Sequence, residues 1–232
     1  MLLIHFTVTS QVIDVCGAAG GRLPGQGMGG NGASYQNTTH AKAGDVGSKL
    51  LQAWSTVTPT TWTAGSVNEV AWALAANHGG GYSYRLCPRN AKLDEECMQK
   101  TPLEFVGDAS LRWGGPGGRQ IFFEGTTLTE GVTPPGSMWR MNPIPRNDPW
   151  GTGDGFEPVC DWAHNSGTGS DQAEPYPCQG GSETGLGNLE IVDHVKIPAG
   201  LPAGDYVIGW RWDSEESNQI WQSCSDVTVA KP

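Results

Sequence analysis

The first constraint on this chain is its load of residues that break regular backbone, 34 glycines and 16 prolines among 232 residues. Glycine loses the most entropy when ordered into a helix, and proline removes a donor and clashes with the preceding turn, so long helices would carry broken hydrogen-bond ladders. A helical bundle is excluded. Ten tryptophans within a 37% hydrophobic composition exclude a disordered chain just as firmly, because such side chains require a core or a ligand. A loop-rich, all-β protein is expected, and the length suits one large domain or two small ones.

Lys and Arg number 14 against 24 Asp and Glu, a formal net charge of −10. Repulsion from polyanions, with no basic run to offset it, argues against nucleic acid as a partner. No stretch approaches the roughly eighteen consecutive apolar residues of a membrane span, so no membrane partner is expected. The six cysteines, Cys16, Cys87, Cys97, Cys160, Cys178 and Cys224, are even in number and lack the C-x-x-C spacing of a zinc site. Disulfides in an oxidising compartment follow, and the sequon Asn37-Thr38-Thr39 agrees with that. Cys160 and Cys178 bracket a stretch dense in Pro, Gly and Asn and are expected to pair. Met1-Leu2-Leu3-Ile4-His5-Phe6 lacks the basic start, full apolar core and cleavage site of a secretory signal, so the chain reads as secreted with its targeting segment not visible.

Two-residue alternation marks the strands. Leu2, Ile4, Phe6 and Val8 alternate at the start. Val67–Ala75 places Val70, Trp72 and Leu74 on one face before Asn77-His78-Gly79-Gly80-Gly81 interrupts it, and residues 16–48 read as an extended surface loop. Tyr82–Cys87 and Arg119–Glu124 are expected strands, and Asp94–Lys100 a helical turn with acids first and a base last. Gly131–Gly187 reads as a long loop region. Leu189, Ile191, Val195 and Ile197 share one parity against Glu190, His194 and Lys196. Tyr206, Ile208, Trp210 and Trp212 repeat the pattern, and Gln219–Val229 closes it. Such spacing suggests an antiparallel sandwich with long Gly/Pro-rich loops and short helical turns.

Histidine is the commonest metal ligand, and the five here, His5, His40, His78, His164 and His194, show no helical zinc-hydrolase spacing. His194 sits on a polar strand face, and His40 and His164 read as loop residues. Three glycines follow His78, so nothing bulky would shield its ring and a flat partner could approach the backbone closely. No nucleophile elbow, P-loop or dinucleotide fingerprint is present. Asp213, Glu215 and Glu216 lie close together, but acids beside a strand end are usually solvated.

The segment Asn77-His78-Gly79-Gly80-Gly81-Tyr82-Ser83-Tyr84-Arg85-Leu86-Cys87-Pro88 resembles the surroundings of the second copper histidine in the chitin-binding type 4 and lytic polysaccharide monooxygenase superfamily, particularly its algal and oomycete members. The resemblance extends to Gly204–Asp213, Gln219–Val227, Cys16–Gly21, Pro102–Phe105 and Trp139–Pro145, and so runs from about residue 14 to the end. It implies an immunoglobulin/fibronectin III-like antiparallel β-sandwich holding one copper ion in a histidine brace, where a terminal histidine ligates through its amine and ring and a second histidine supplies a third nitrogen. Tetragonal nitrogen ligation suits Cu(II), and an α-amino group gives up its proton readily to a metal.

By this resemblance His78 is the metal ligand, Gln219 orients the oxygen species and Trp221 limits access along the copper axis; Trp221 as a core residue is the open alternative. The family generally has Tyr or Phe at that place. Tyr82, Tyr84, Trp54 and Trp62 could stack on sugar rings if exposed. Ser214 stands where the family often has cysteine; against that background Cys16 is paired with Cys224, and Cys87 with Cys97, which closes a small local loop. The brace needs a free terminal histidine, whereas Met1-Leu2-Leu3-Ile4 precedes His5, and copper binding is conditional on a mature start that supplies one. His5 itself reads as a strand residue.

The function so implied is copper-dependent oxidative cleavage of glycosidic bonds in chitin, cellulose or another plant or algal wall polymer, by a secreted monomer fed by an external electron donor. The alternatives are a non-catalytic carbohydrate-binding module that has lost the terminal histidine, and a copper-handling protein without oxidative activity.

Overall fold

Short runs of alternating residues pair into two sheets whose apolar parities face each other. The computed structural model describes residues 14–19, 41–42, 44–50, 59–72, 79–113, 116–144, 189–215 and 219–232. Among the described residues the strands are β1 (Thr60–Thr63), β2 (Val67–Trp72), β3 (Gly81–Pro88), β4 (Glu104–Phe105), β5 (Ala109–Trp113), β6 (Arg119–Phe123), β7 (Thr127–Leu128), β8 (Trp139–Met141), β9 (Leu189–Lys196), β10 (Gly204–Asp213) and β11 (Ile220–Ala230). Two helical turns, α1 (Gly47–Leu50) and α2 (Glu95–Met98), accompany them.

One sheet runs β1-β11-β10-β3-β8-β7, and the other β2-β9-β5-β6 with β4 also on β9. Trp62, Tyr82, Tyr84, Leu86, Ile208 and Trp212 of the first sheet share one buried cluster with Trp72, Phe105, Leu111, Ile191 and Val195 of the second. The fold is therefore an all-β sandwich, its core made by residues i and i+2 of facing strands.

The antiparallel expectation fails at one place: β1 lies parallel to β11, with Thr60 opposite Val227 and Thr63 opposite Ala230. No hairpin joins those two strands, so nothing local fixes their relative direction. Instead β1 turns through Gly65, at φ 83°, and leaves for the opposite sheet as β2.

The strands expected around 67, 82, 119, 189, 206 and 219 are present, and Asp94 caps α2 by accepting from the Cys97 N–H at 3.0 Å. Two loop expectations need correction. In the 16–48 stretch Ala18 bridges Val46, α1 forms, and Asp14 Oδ1 accepts from the Cys16 and Ser48 backbone N–H groups, both at 2.9 Å. In the 131–187 stretch Trp139–Met141 is a strand, buried at all three residues. The disulfides Cys16–Cys224 and Cys87–Cys97 are formed, with Cα separations of 4.8 Å and 5.5 Å. The strand expected over Met1–Val8, the sequon, the Cys160–Cys178 pairing, Trp54 and His5, His40, His78 and His164 lie outside the described residues.

Candidate functional site

Register brings three chain segments to one end of the six-stranded sheet. Gly81 of β3 is opposite Asp213 of β10, and Asp213 is opposite Ile220 of β11. Neighbouring strands lie about 4.8 Å apart, so Gly79–Gly80 before β3, Ser214–Glu215 after β10 and Gln219 before β11 gather within roughly 10 Å of one another. The described chain near its start docks close by, since a Cβ on Gly17 would strike the Gln222 carbonyl of β11.

Gly79 and Gly80 are buried at φ 62° and 77°, which corrects the expectation that these glycines leave the backbone open to a flat partner. They are glycine because the chain must turn left-handed and pass tightly between strand ends. The Trp212 indole N–H donates to Gly79 O at 2.7 Å, the Gly80 N–H donates to Glu215 Oε2 at 3.3 Å, and the Asn142 N–H donates to Gly80 O at 2.8 Å. A Cβ on Gly80 would overlap the Asp213 carbonyl oxygen.

Gln219 is half-buried at this end, its carbonyl accepting from the Ser214 N–H at 3.0 Å. Trp221 is half-buried too, packs against the main core, and stacks on Trp212 with centroids 6.4 Å apart and planes 26° apart. Its indole N–H has no hydrogen-bond partner among the described residues. Tyr82 and Tyr84 are not sugar platforms: they are 1% and 4% exposed, because Tyr82, Tyr84 and Leu86 share the parity that faces the core. Trp62 is buried as well.

The acids near the strand end are not all solvated. Asp213 is buried and accepts from Arg211 Nε at 2.6 Å and Nη2 at 2.8 Å; burial pushes its carboxyl above the usual range, against the pull of Arg211. Glu95 on α2 accepts from Arg85, from Arg211 Nη1 at 3.1 Å and from Gln222 Nε2 at 3.1 Å, binding α2 to the outer face of β3, β10 and β11. His194 is half-buried on β9 of the other sheet, opposite Glu69.

A second polar knot lies between the sheets. Asp193 of β9, fully buried, accepts from the Tyr82 hydroxyl at 2.8 Å and from Arg140 Nη1 at 2.6 Å, while Arg140 Nη2 donates to Gly107 O. Burial, then the Asp193 charge, holds the Tyr82 phenol well above its ordinary range. Asp193 was open to discovery in the sequence as the one acid on the apolar parity of Ile191 and Val195.

Among the described residues no group of three or more His, Cys, Asp or Glu is arranged to hold a metal ion, and no helix is long and apolar enough to cross a membrane. No family model matches the chain. In sequence it is 26% identical over 189 residues, 76% of this chain and 42% of that protein, to the AA13 family lytic polysaccharide monooxygenase A of Aspergillus terreus. The chain thus spans about two-fifths of the length of that curated relative. Among solved structures it overlaps the AA15 lytic polysaccharide monooxygenase from Thermobia domestica in the Cu(I) state, at TM-score 0.34, 14% identity, 74% of this chain and 62% of that one. It also overlaps a family 123 glycoside hydrolase from Clostridium perfringens, at TM-score 0.30, 10% identity, 80% of this chain and 25% of that one. In sequence, the chain is similar at a distance to a lytic polysaccharide monooxygenase.

Proposed function

We propose that the protein is a copper-dependent oxidase of polysaccharides, of the lytic monooxygenase type, working at the Gly79–Gln219 end of the six-stranded sheet. The observation that carries the reading is the convergence there of β3 and β11, which begin beside the two segments that the family resemblance singles out. The 26% identity to the Aspergillus terreus enzyme over 189 residues supports it independently.

The described residues offer no complete ligand set for copper, and the ligands proposed, His78 and the terminal histidine of a mature chain, lie outside them. Bound copper would supply the one-electron chemistry that activates oxygen or peroxide for hydrogen removal beside a glycosidic link. The chain's own contributions are positional. Trp212 and Glu215 fix the peptide groups of Gly79 and Gly80 through hydrogen bonds to the Gly79 carbonyl and from the Gly80 N–H. The Gln219 side chain has an amide that can donate to an oxygen species or a substrate hydroxyl. Trp221 walls the sheet end with an apolar ring whose N–H has no hydrogen-bond partner among the described residues.

Purifying the secreted form and reading its first residue comes first, followed by copper titration and mass spectrometry of products from chitin, cellulose, xylan and pectin with copper and a reductant. Oxidised oligosaccharides are expected from at least one polymer. Their absence from all four overturns the oxidative reading, and binding to a polymer without oxidation would establish a non-catalytic module instead. His78→Ala is expected to abolish tight copper binding; unchanged affinity in the folded variant removes His78 from its role.

A further inference from the structure

The outer face of the six-stranded sheet holds two buried guanidiniums that are unequally supplied with acceptors. Arg85 of β3 and Arg211 of β10 share the Glu95 carboxylate, each through Nη1, Arg85 on Oε2 and Arg211 on Oε1 at 3.1 Å. Arg211 then turns its other edge, the fork of Nε–H and Nη2–H, onto the two oxygens of Asp213 at 2.6 Å and 2.8 Å. The same fork of Arg85 is buried, and neither Nε nor Nη2 has a hydrogen-bond partner among the described residues. Ser83, two residues earlier and so on the same face of β3, has a buried hydroxyl that also lacks one. Arg85 and Ser83 are each 1% exposed, so bulk water does not serve them. Charge follows the bonding. Burial holds the Arg85 guanidinium below its ordinary range against the pull of Glu95; burial also pulls Arg211 down, but Asp213 and then Glu95 carry it above its own.

We propose that the Arg85 fork and the Ser83 hydroxyl form an internal binding site for a small planar monovalent oxyanion, of the size of formate or bicarbonate. All four carboxylate oxygens of Glu95 and Asp213 already accept from Arg85, Arg211 or Gln222, so the groups left over, Arg85 Nε–H, Arg85 Nη2–H and Ser83 O–H, are donors. Only an acceptor completes them, and buried donors left unmet are costly. A carboxylate-shaped ion takes Nε–H and Nη2–H together, as Asp213 does on Arg211, which is the geometry that a guanidinium fork selects. Residues two apart on a strand are separated by about 6.6 Å, so one ion with hydrogen bonds of about 2.8 Å on either side reaches both Arg85 and Ser83. The counter-charge belongs on the same side. Glu95 is divided between two guanidiniums, and Arg211 gains a whole second carboxylate where Arg85 gains none. Neighbours close in around the pair: Met98 lies over Gly209, the residue opposite Arg85, and the Arg211 guanidinium, opposite Ser83, stands 5.6 Å from the Trp139 ring centroid. Such walls favour a flat ion of three or four heavy atoms over sulfate or phosphate. The inference uses these described residues alone and stands whether or not the protein binds copper.

The test is titration of the whole chain with sodium formate at constant ionic strength, after dialysis into bicarbonate-free buffer. Formate is expected to raise the unfolding midpoint along a saturating curve and to shift the Arg85 Nε resonance with the same dissociation constant, while sulfate and chloride do neither. Arg85→Lys keeps the charge but lacks the fork, so the saturable rise should vanish. Ser83→Ala removes one hydrogen bond to the ion and should weaken formate binding about tenfold. Circular dichroism establishes that Arg85→Lys is folded; if it is not, the parent resonance and Ser83→Ala decide the matter. A response that does not saturate, an Arg85 resonance that does not move, the same saturable response from sulfate or chloride, or unchanged formate affinity in Ser83→Ala or in folded Arg85→Lys overturns the site and leaves an enclosed water as the partner of the fork.

Discussion

The two faces of the six-stranded sheet use the same strands for opposite purposes. On β3 and β10 the inward parity is Tyr82, Tyr84, Leu86, Tyr206, Ile208, Trp210 and Trp212, a largely aromatic surface against the second sheet. The outward parity carries Arg85, Arg211 and Asp213, and it too is covered: α2 lies over it through Glu95, and Val15, Cys87, Cys97, Met98 and Val207 form a second small core. Antiparallel sheets commonly leave one face to water, so polar residues on alternate positions are ordinarily solvated. Here they are not. When the outer face is covered, each charge must find a partner or leave, and the outcome is a shared carboxylate between two guanidiniums instead of a wet surface.

The inner face allows one exception, and it is the sharpest way to break the comparison. Asp193 and Arg140 form an ion pair with side chains 0% and 4% exposed, so Asp193→Ala leaves a guanidinium charge in the core. A loss of about 3–5 kcal/mol in denaturant unfolding is expected for stranding a buried charge. A loss under 1 kcal/mol would mean that the inner face tolerates charge and that the division between faces is only one of composition. On the outer face, neighbouring residues of α2 give the contrast. Glu95→Ala strands Arg85, 2% exposed, and is expected to cost about 3 kcal/mol. Glu96→Ala removes only an exposed pair with Lys100, and about 0.3–0.5 kcal/mol is expected. Equal effects at the two positions would show that α2 is not the lid of a dry ionic layer.

The parity of residues was legible from sequence wherever a run was long enough to repeat, as at Ile191, Val195 and Ile197 or Tyr206, Ile208 and Trp212, and those residues are the core. What covers a face was not. Tyr82 and Tyr84 alternate with Ser83 and Arg85 as cleanly as any pair, but alternation alone does not say which parity faces a second sheet, so their availability to a sugar ring was conditional on exposure. The three-residue β8 and the two-residue β4 and β7 are too short to show a period, and the parallel β1–β11 pairing depends on a contact between residues more than 160 positions apart. The candidate site was legible only as two segments. That β3 and β11 begin at one sheet end comes from strand register, which alternation does not encode. Glu215 and Asn142, which hold the Gly80 bend, carry no local signal, because their partners are backbone groups 135 and 62 residues away.

An effect smaller than that of stranding a buried charge falls where the two faces meet. Gly79 accepts from the inward Trp212, while Gly80 rests on the carbonyl of the outward Asp213, so the bend is tied to the aromatic layer and the ionic layer at once. Gly80→Ala would require a side chain at φ 77° and push a methyl group into that carbonyl. Strain of this kind costs about 1–3 kcal/mol. Because the methyl would crowd both the Asp213 carbonyl and the Glu215 backbone nitrogen, relief that withdraws Gly79 from Trp212 should bring the stability loss together with a shift in Trp212 emission, read against Trp212→Phe to isolate that ring. A full stability loss with unchanged emission would locate the adjustment in the ionic layer alone, and the bend would then belong to one face rather than join the two.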